Sequence, residues 1–305
     1  MKTYQKKTSH GFTLIELLVS MVITTIIITV LVTVTVTSLD IWNRSRAEVR
    51  ASLQGKAMID VMSADFESMT IRRGNAYQWL FAEFNPPSQG PNNNQSPCSL
   101  DLIFFSAATD RYDGQVGDDT KDNGGDISSI GYKLVYKDPI GDDSDDKFKT
   151  FVLYRKLVNP DDTFQNLLGK TDLKATFDSF ALGASESIDE KENFVCENVY
   201  QFNVKFHMEV VVANVTSNVT LTLNDNQLFT VTGNGVITTG TSSPSVAAAS
   251  LAAGRLTAVE ISLTVLTDFA VKQMRGRTFS DPVKLSEFIA ENSFQYSKLI
   301  PVPSY

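Results

Sequence analysis

The stretch SHGFTLIELLVS, residues 9–20, decides how the rest of the chain is read. It opens an apolar run from Phe12 to Leu39 in which Glu16 is the only charged residue. At 1.5 Å per residue a helix over this run is about 42 Å long, against a hydrocarbon core of about 30 Å. A secretory signal peptide fits poorly, because its apolar region is shorter and a small-x-small cleavage site follows it. The segment TVLVTVTVTS, residues 29–38, alternates like a β-strand. A lone strand in lipid leaves its backbone unpaired, so a helix is the viable spanning form. Threonine hydroxyls can bond back to carbonyls one turn earlier, which softens their polarity. The run predicts a transmembrane helix over 12–39, with a carboxylate placed where carboxylates are costly.

Lys2, Lys6 and Lys7 precede the span. By the positive-inside rule the short head stays cytoplasmic and the body after Asp40 lies beyond the membrane. Arg44, Arg46 and Arg50 on the far flank pull the other way, but the short head is the stronger determinant. The 305-residue chain carries a net charge of −8. Without the three head lysines, 24 basic residues stand against 35 acidic ones. So acidic a body argues against phosphate-backbone binding, and no nucleic-acid partner is expected. With 42% hydrophobic residues the chain has enough apolar material for one large domain or two small ones. Cys98 and Cys196 are too few for a disulfide scaffold. In an exported body they either form one bridge or serve as small core residues.

The basic leader, followed by Gly11, Phe12, Thr13, Leu14, Ile15 and Glu16 and then a long apolar stretch, resembles the leader of type IV pilins and type II secretion pseudopilins. The resemblance implies cleavage after Gly11 by a prepilin peptidase and N-methylation of Phe12. It also implies that Glu16 docks each new subunit by pairing with a neighbour's N-terminal amine. Beside this stands a local reading, in which Glu16 is favoured by the helix dipole and snorkels to the interface. Major pilins often carry a proline within the span. Here no proline occurs before Pro86, which tilts the resemblance towards minor pseudopilins.

Beyond Asp40 the pattern stays helical to about Arg72, with Val49, Leu53, Ala57, Val61 and Ala64 forming an apolar stripe and Phe66 and Met69 nearby. This predicts one long helix whose outer half lays that stripe on the body; Asp40 capping a separate helix is the alternative. Residues 84–97 are a loop by composition. Alternating apolar residues then predict antiparallel, half-buried strands over 99–106, 130–137, 148–158, 199–212 and 258–267. In the fourth of these Phe202, Val204, Phe206 and Met208 share a face; in the fifth, Val259, Ile261, Leu263 and Val265 do. A hairpin turning at Gly233-Asn-Gly is expected within 214–254, and a short helix capped by Ser280 within 280–292. The tail from Phe294 has no assigned role.

The expected class is α+β: a long N-terminal helix packed on an antiparallel β-sheet body. The expected organisation is a leader peptide (1–11), a transmembrane helix (12–39), its amphipathic continuation (40–73) and a β-rich extracytoplasmic domain (74–305). The strand order is similar to that of J-type minor pseudopilins, loosely and over most of 12–267. K-type tip subunits are also large but usually lack the early glutamate that this chain has.

The acidic loops 113–126 and 141–146 suggest either a solvated surface or a Ca²⁺ site, with Asp118, Asp119, Asp122 and Asp126 as candidate ligands. Neither matches an EF-hand. His207 is expected on the polar face of its strand with Lys205 and Glu209. There is no Ser/His/Asp pattern, no CxxC and no phosphate-cradling glycine loop. Carboxylate-only chemistry is the remaining enzymatic option. The sequence is therefore read as non-enzymatic, without a cofactor unless Ca²⁺ binds. The first expectation is a minor pilin or pseudopilin in the bacterial inner membrane, partnered by other such subunits. Its body would be periplasmic or in an extracellular filament. The alternative is a filament-displayed adhesin or secretion-substrate binder, with recognition by loops 85–97, 113–126 and 233–254.

Overall fold

The computed structural model describes residues 13–71, 73–107, 126–140, 148–181, 187–212, 215–224, 227–235, 237–239, 254–279 and 281–302. The chain forms two compact units, Met1–Ala47 and Glu48–Tyr305. Helix α1 is Leu14–Glu67, with no break at Asp40. Over the first unit its apolar side chains are exposed from Leu14 to Trp42. The hydroxyls of Thr24, Thr25, Thr29, Thr33, Thr35 and Thr37 each donate to the carbonyl four residues back, at 2.7–2.9 Å. The β-branched run is thus a helix whose polar groups are satisfied within it.

The second unit holds eleven strands among the described residues. They are β1 (Gln78–Phe84), β2 (Leu100–Ser106), β3 (Ser128–Lys137), β4 (Thr150–Val158), β5 (Phe194–Glu197), β6 (Val199–Val212), β7 (Val215–Thr222), β8 (Leu228–Thr232), β9 (Ile237–Thr239), β10 (Arg255–Leu266) and β11 (Ser293–Pro301). They make two antiparallel sheets, ordered β5-β4-β3-β2-β1-β8-β9 and β11-β10-β6-β7. The sheets face each other through aromatic side chains. Phe206 of β6 stacks on Phe229 of β8 at 4.1 Å between ring centres, and Tyr132 of β3 meets Phe202 of β6 at 6.2 Å. The expected faces of β6 and β10 are the buried ones. The α+β, pilin-like class expected from sequence is the one found.

Three expectations are corrected. First, Val49, Leu53 and Val61 are 56%, 63% and 41% exposed, and Ala57 and Ala64 are exposed too. The helix instead buries Ala51, Gly55, Met58, Ile59, Met62, Ser63, Asp65 and Phe66. Both stripes have helical spacing, so periodicity does not choose between them. Specific contacts do. A Cβ on Gly55 would lie 2.5 Å from the Tyr296 ring, so only glycine lets β11 approach here. Phe66 stacks on Phe104 of β2 at 4.5 Å. The helix stops at Glu67 rather than near Arg72 because the chain turns to pair with β2: Met69 bridges Ser106, and Thr70 N–H donates to the Phe105 carbonyl at 2.9 Å.

Second, β2 and β4 are buried throughout rather than half-buried. A helix at Leu173–Ala181 covers the outer face of the seven-stranded sheet, with Phe177 seated over Gly131. Third, the tail is β11, paired along β10 from Ser293↔Leu266 to Pro301↔Ala258. The helix before it, Pro282–Asn292, is capped by Asp281, whose carboxylate accepts from the Val283 N–H; Ser280 lies outside the described residues. The hairpin at 233–235 is found, joining β8 to β9 with Gly235 at φ 77°.

A buried ion pair lies inside this core. Arg155 of β4 donates from Nε and Nη2 to the two carboxylate oxygens of Asp65 on α1, both at 2.7 Å. Tyr132 donates its hydroxyl to the same carboxylate. Both charged side chains are 5% exposed. Burial pushes the Tyr132 phenol well above its ordinary pKa, so it stays a donor. Removing one member strands the other charge, which typically costs about 3–5 kcal/mol, whereas replacing both by apolar residues costs far less. Asp65→Ala is therefore expected to lower unfolding stability by about that amount. Asp65→Leu combined with Arg155→Met should recover most of the loss. Urea unfolding of the full chain in detergent, followed by circular dichroism, measures both.

Candidate functional site

Thr13 is the residue just before α1, and its carbonyl accepts the Leu17 N–H at 3.2 Å. Glu16 lies three residues on. Its Oε2 accepts from the Thr13 N–H and from the Thr13 hydroxyl, both at 3.0 Å, while Thr13 Oγ1 accepts the Glu16 N–H at 3.3 Å. This is a reciprocal capping box. The T-x-x-E spacing announces it, and the reading of Glu16 as a lone anomaly passed over that signal. The box satisfies otherwise unpaired N–H groups of the first turn and sets a negative charge at the positive end of the helix dipole. Oε2 carries both bonds; among the described residues Oε1 has no partner. Glu16 is exposed. Gly11 and Phe12, the expected cleavage and methylation positions, lie outside the described residues.

The helix is long and apolar enough to cross a membrane, with a mean hydropathy of 2.7 over its most apolar window. Its N-terminus thus presents a carboxylate whose Oε2 is engaged by Thr13 and whose Oε1 has no partner among the described residues.

The other sequence-predicted residues do not gather at this end. Cys98 and Cys196 are free thiols, which corrects the bridge expectation. Cys196 is buried on β5 opposite Leu153, and Cys98 precedes β2, its thiol directed at the Phe202 carbonyl. Burial pushes the Cys196 thiol up to about 12 and the Cys98 thiol up to about 11. His207 lies between Thr220 Oγ1 at 3.0 Å from Nδ1 and Glu260 Oε2 at 3.5 Å from Nε2. Glu260 also takes Lys205 at 3.2 Å and Ser297 at 2.9 Å. Hydrogen bonding from Ser297, opposed by slight desolvation, holds the Glu260 carboxyl below its ordinary pKa. The expected polar face is there, with Glu260 of β10 as its hub, a cross-strand partner that a single strand's pattern does not reveal.

Asp118, Asp119 and Asp122 lie outside the described residues, and Asp126 is exposed. Among the described residues no group of three His, Cys, Asp or Glu side chains is placed to hold a metal. Of the expected recognition loops, 85–97 is described throughout, whereas loops 113–126 and 233–254 lie mostly outside the described residues.

Comparison with known families matches residues 6–32 to the prokaryotic N-terminal methylation motif. Curated proteins and solved structures give no match. The match covers the Gly11–Phe12 junction, Glu16 and the apolar run as far as Val32.

Two outcomes test these assignments. Native chain at pH 8 should react with iodoacetamide more than about a hundredfold slower than unfolded chain, since little thiolate is present. Unfolded, unreduced chain should titrate two thiols with Ellman's reagent. Separately, Thr13→Ala removes the cap hydroxyl and should raise hydrogen exchange at Glu16 and Leu17 about fivefold in micelles, the range set by loss of an N-cap.

Proposed function

The chain carries the prokaryotic N-terminal methylation motif, and on that premise we propose that it is a minor pilin or pseudopilin, a structural subunit of a type IV pilus-like or type II secretion filament. In this reading a prepilin peptidase cuts after Gly11 and Phe12 is N-methylated. Glu16 then pairs with the N-terminal amine of a neighbouring subunit. The observation that supports the reading is that the capping box occupies Oε2 of Glu16 while Oε1 has no partner among the described residues. The carboxylate thus orders its own first turn and offers a second oxygen to a cation. Charge-assisted pairing is strongest where water is excluded, as in a bundle of apolar helices.

The exposed stripe Val49, Leu53, Ala57, Val61 and Ala64 supports the same reading. It is an apolar helix face left uncovered by the body, suited to packing against other helices. The protein would be a single-pass protein of the bacterial inner membrane, with a cytoplasmic leader and an extracytoplasmic body. Among subtypes, the strand order and the early glutamate favour a J-type minor subunit.

Glu16→Ala is expected to insert and be processed normally but to be lost from sheared filaments. Full incorporation of that variant would refute the docking role. Gly11→Glu should leave the chain at its unprocessed mass, read by intact-protein mass spectrometry; a processed Gly11→Glu chain would refute the leader assignment.

A further inference from the structure

A short helix, Leu173–Ala181, covers part of the outer face of the seven-stranded sheet. A nine-residue helix is too short to be stable in isolation, so it depends on its anchors. Among its described side chains only Leu173 and Phe177 are buried. Phe177 sits over Gly131, where a Cβ would come within 2.6 Å of its ring. The Leu173 N–H donates to the Gln78 side chain at 2.9 Å, and the Asp172 carboxylate accepts the Ala175 N–H at 3.0 Å. A short surface element of this kind belongs to the part of a fold that opens locally before the core does.

Beneath this helix lies a buried carboxylate. Asp101 of β2 stands opposite Glu83 of β1 in the sheet register, and its side chain is 5% exposed. Its Oδ2 accepts from the Asn85 amide at 2.9 Å, and Lys174 Nζ of the covering helix lies 3.7 Å from the same oxygen. Its Oδ1 has no hydrogen-bond partner among the described residues. Lys174 is engaged more closely by Asp178, one turn further along the helix, at 2.7 Å. Lys133 of β3 is the second cation acting on Asp101. Tyr154 and Lys156 of β4 lie one strand further on, in register with Lys133 and Gly131. A buried carboxyl with an unpaired oxygen is costly when ionised, and a proton removes that cost.

We propose that Asp101 is a proton-linked latch on the helix Leu173–Ala181: the helix stays closed over the sheet when this carboxyl is protonated and opens more readily when it ionises. Opening admits water to Asp101 and solvates the charge. It also carries Lys174 away, which works against opening. That contact is long and Lys174 is shared with Asp178, so solvation is the larger effect. Burial, partly offset by the Asn85 bond and by Lys133 and Lys174, holds the Asp101 carboxyl above its ordinary pKa in the closed state. The closed state therefore binds this proton more tightly than the open one. Closure gains stability as pH falls through the raised value towards the ordinary carboxylate range, and loses it as pH rises. Asp189 and Glu260, whose carboxyls lie below their ordinary pKa, act in the opposite sense. The face that opening uncovers is apolar, with Phe81 and Ile103 aligned on Gly131 in the register. The latch is independent of the filament role, because it concerns the body alone.

The test is hydrogen exchange of the full chain in detergent micelles. The readout is protection of the Phe177, Asp178 and Ser179 amides relative to unstructured-chain rates at each pH, with the amides of β10 reporting global stability. Lowering the pH from about 7.5 to about 4.5 is expected to raise protection of the helix at least about threefold, while β10 gains none. Asp101→Asn keeps the shape and the acceptor for Asn85 without the charge, so it should show the higher protection at both pH values. Asp178→Asn and Glu83→Gln should leave the pH dependence in place. Helix protection that fails to rise on acidification would overturn the proposal from the unsubstituted chain alone. A rise that persists in Asp101→Asn, with β10 still protected, or one that vanishes in Asp178→Asn or Glu83→Gln, would overturn it as well.

Discussion

The contact between Asp65 and Arg155 constrains most of the body. Helix α1 meets the β-sheets through a face of small and apolar residues, and apolar packing alone tolerates a rotated or shifted helix. A bidentate ion pair at 2.7 Å on both arms does not. It fixes the axial position and the rotation of residues 48–67, because only one placement brings Asp65 to the guanidinium. Tyr132 completes the arrangement from the neighbouring strand, opposite Arg155 in the β3–β4 register, so a slip of one residue would remove either the donor or the charge. The pair's value is in this uniqueness more than in net stability, since two well-packed apolar residues serve stability nearly as well.

That constraint explains where the sequence was legible and where it was not. The apolar run to Leu39, the alternation in β6 and β10 and the Gly233-Asn-Gly turn are local signals, and each folds as its pattern says. The face of α1 turned to the body is not local. Val49-Leu53-Ala57-Val61-Ala64 and Ala51-Gly55-Met58-Met62-Phe66 are equally helical stripes. What selects the second is the Tyr296 ring against Gly55 and Arg155 against Asp65, both supplied by residues far along the chain. β11 escaped for a similar reason: its partner β10 defines it, and its own composition says little. The covered outer face of β2 and β4 depends on Phe177 reaching Gly131, which no strand pattern records.

The candidate site was legible in part. The cost of a carboxylate in an apolar run drew attention to Glu16 before any geometry was known. Its capping role is carried by the T-x-x-E spacing, with Thr13 three residues before it. The proposed docking role is compatible with it because a carboxylate has two oxygens. Oε2 secures the helix start, and Oε1 has no partner among the described residues. A glutamine there would keep a cap acceptor but lose the charge, and an aspartate would shorten the reach to Thr13. The Thr13–Glu16 pair therefore accounts for glutamate in particular.

The mis-assigned stripe adds a physical point about assembly. The outer half of α1 has two apolar stripes, one covered by the body and one not. An exposed apolar helix face is tolerated in a solitary protein only at a cost in solubility, and it marks an interaction surface. It follows the exposed span on the same helix, separated from it by the polar residues Asp40, Asn43, Arg44, Ser45, Arg46 and Glu48. In the proposed assembly the ion pair at the start of the helix would set the register, and the two apolar stretches would add contact area.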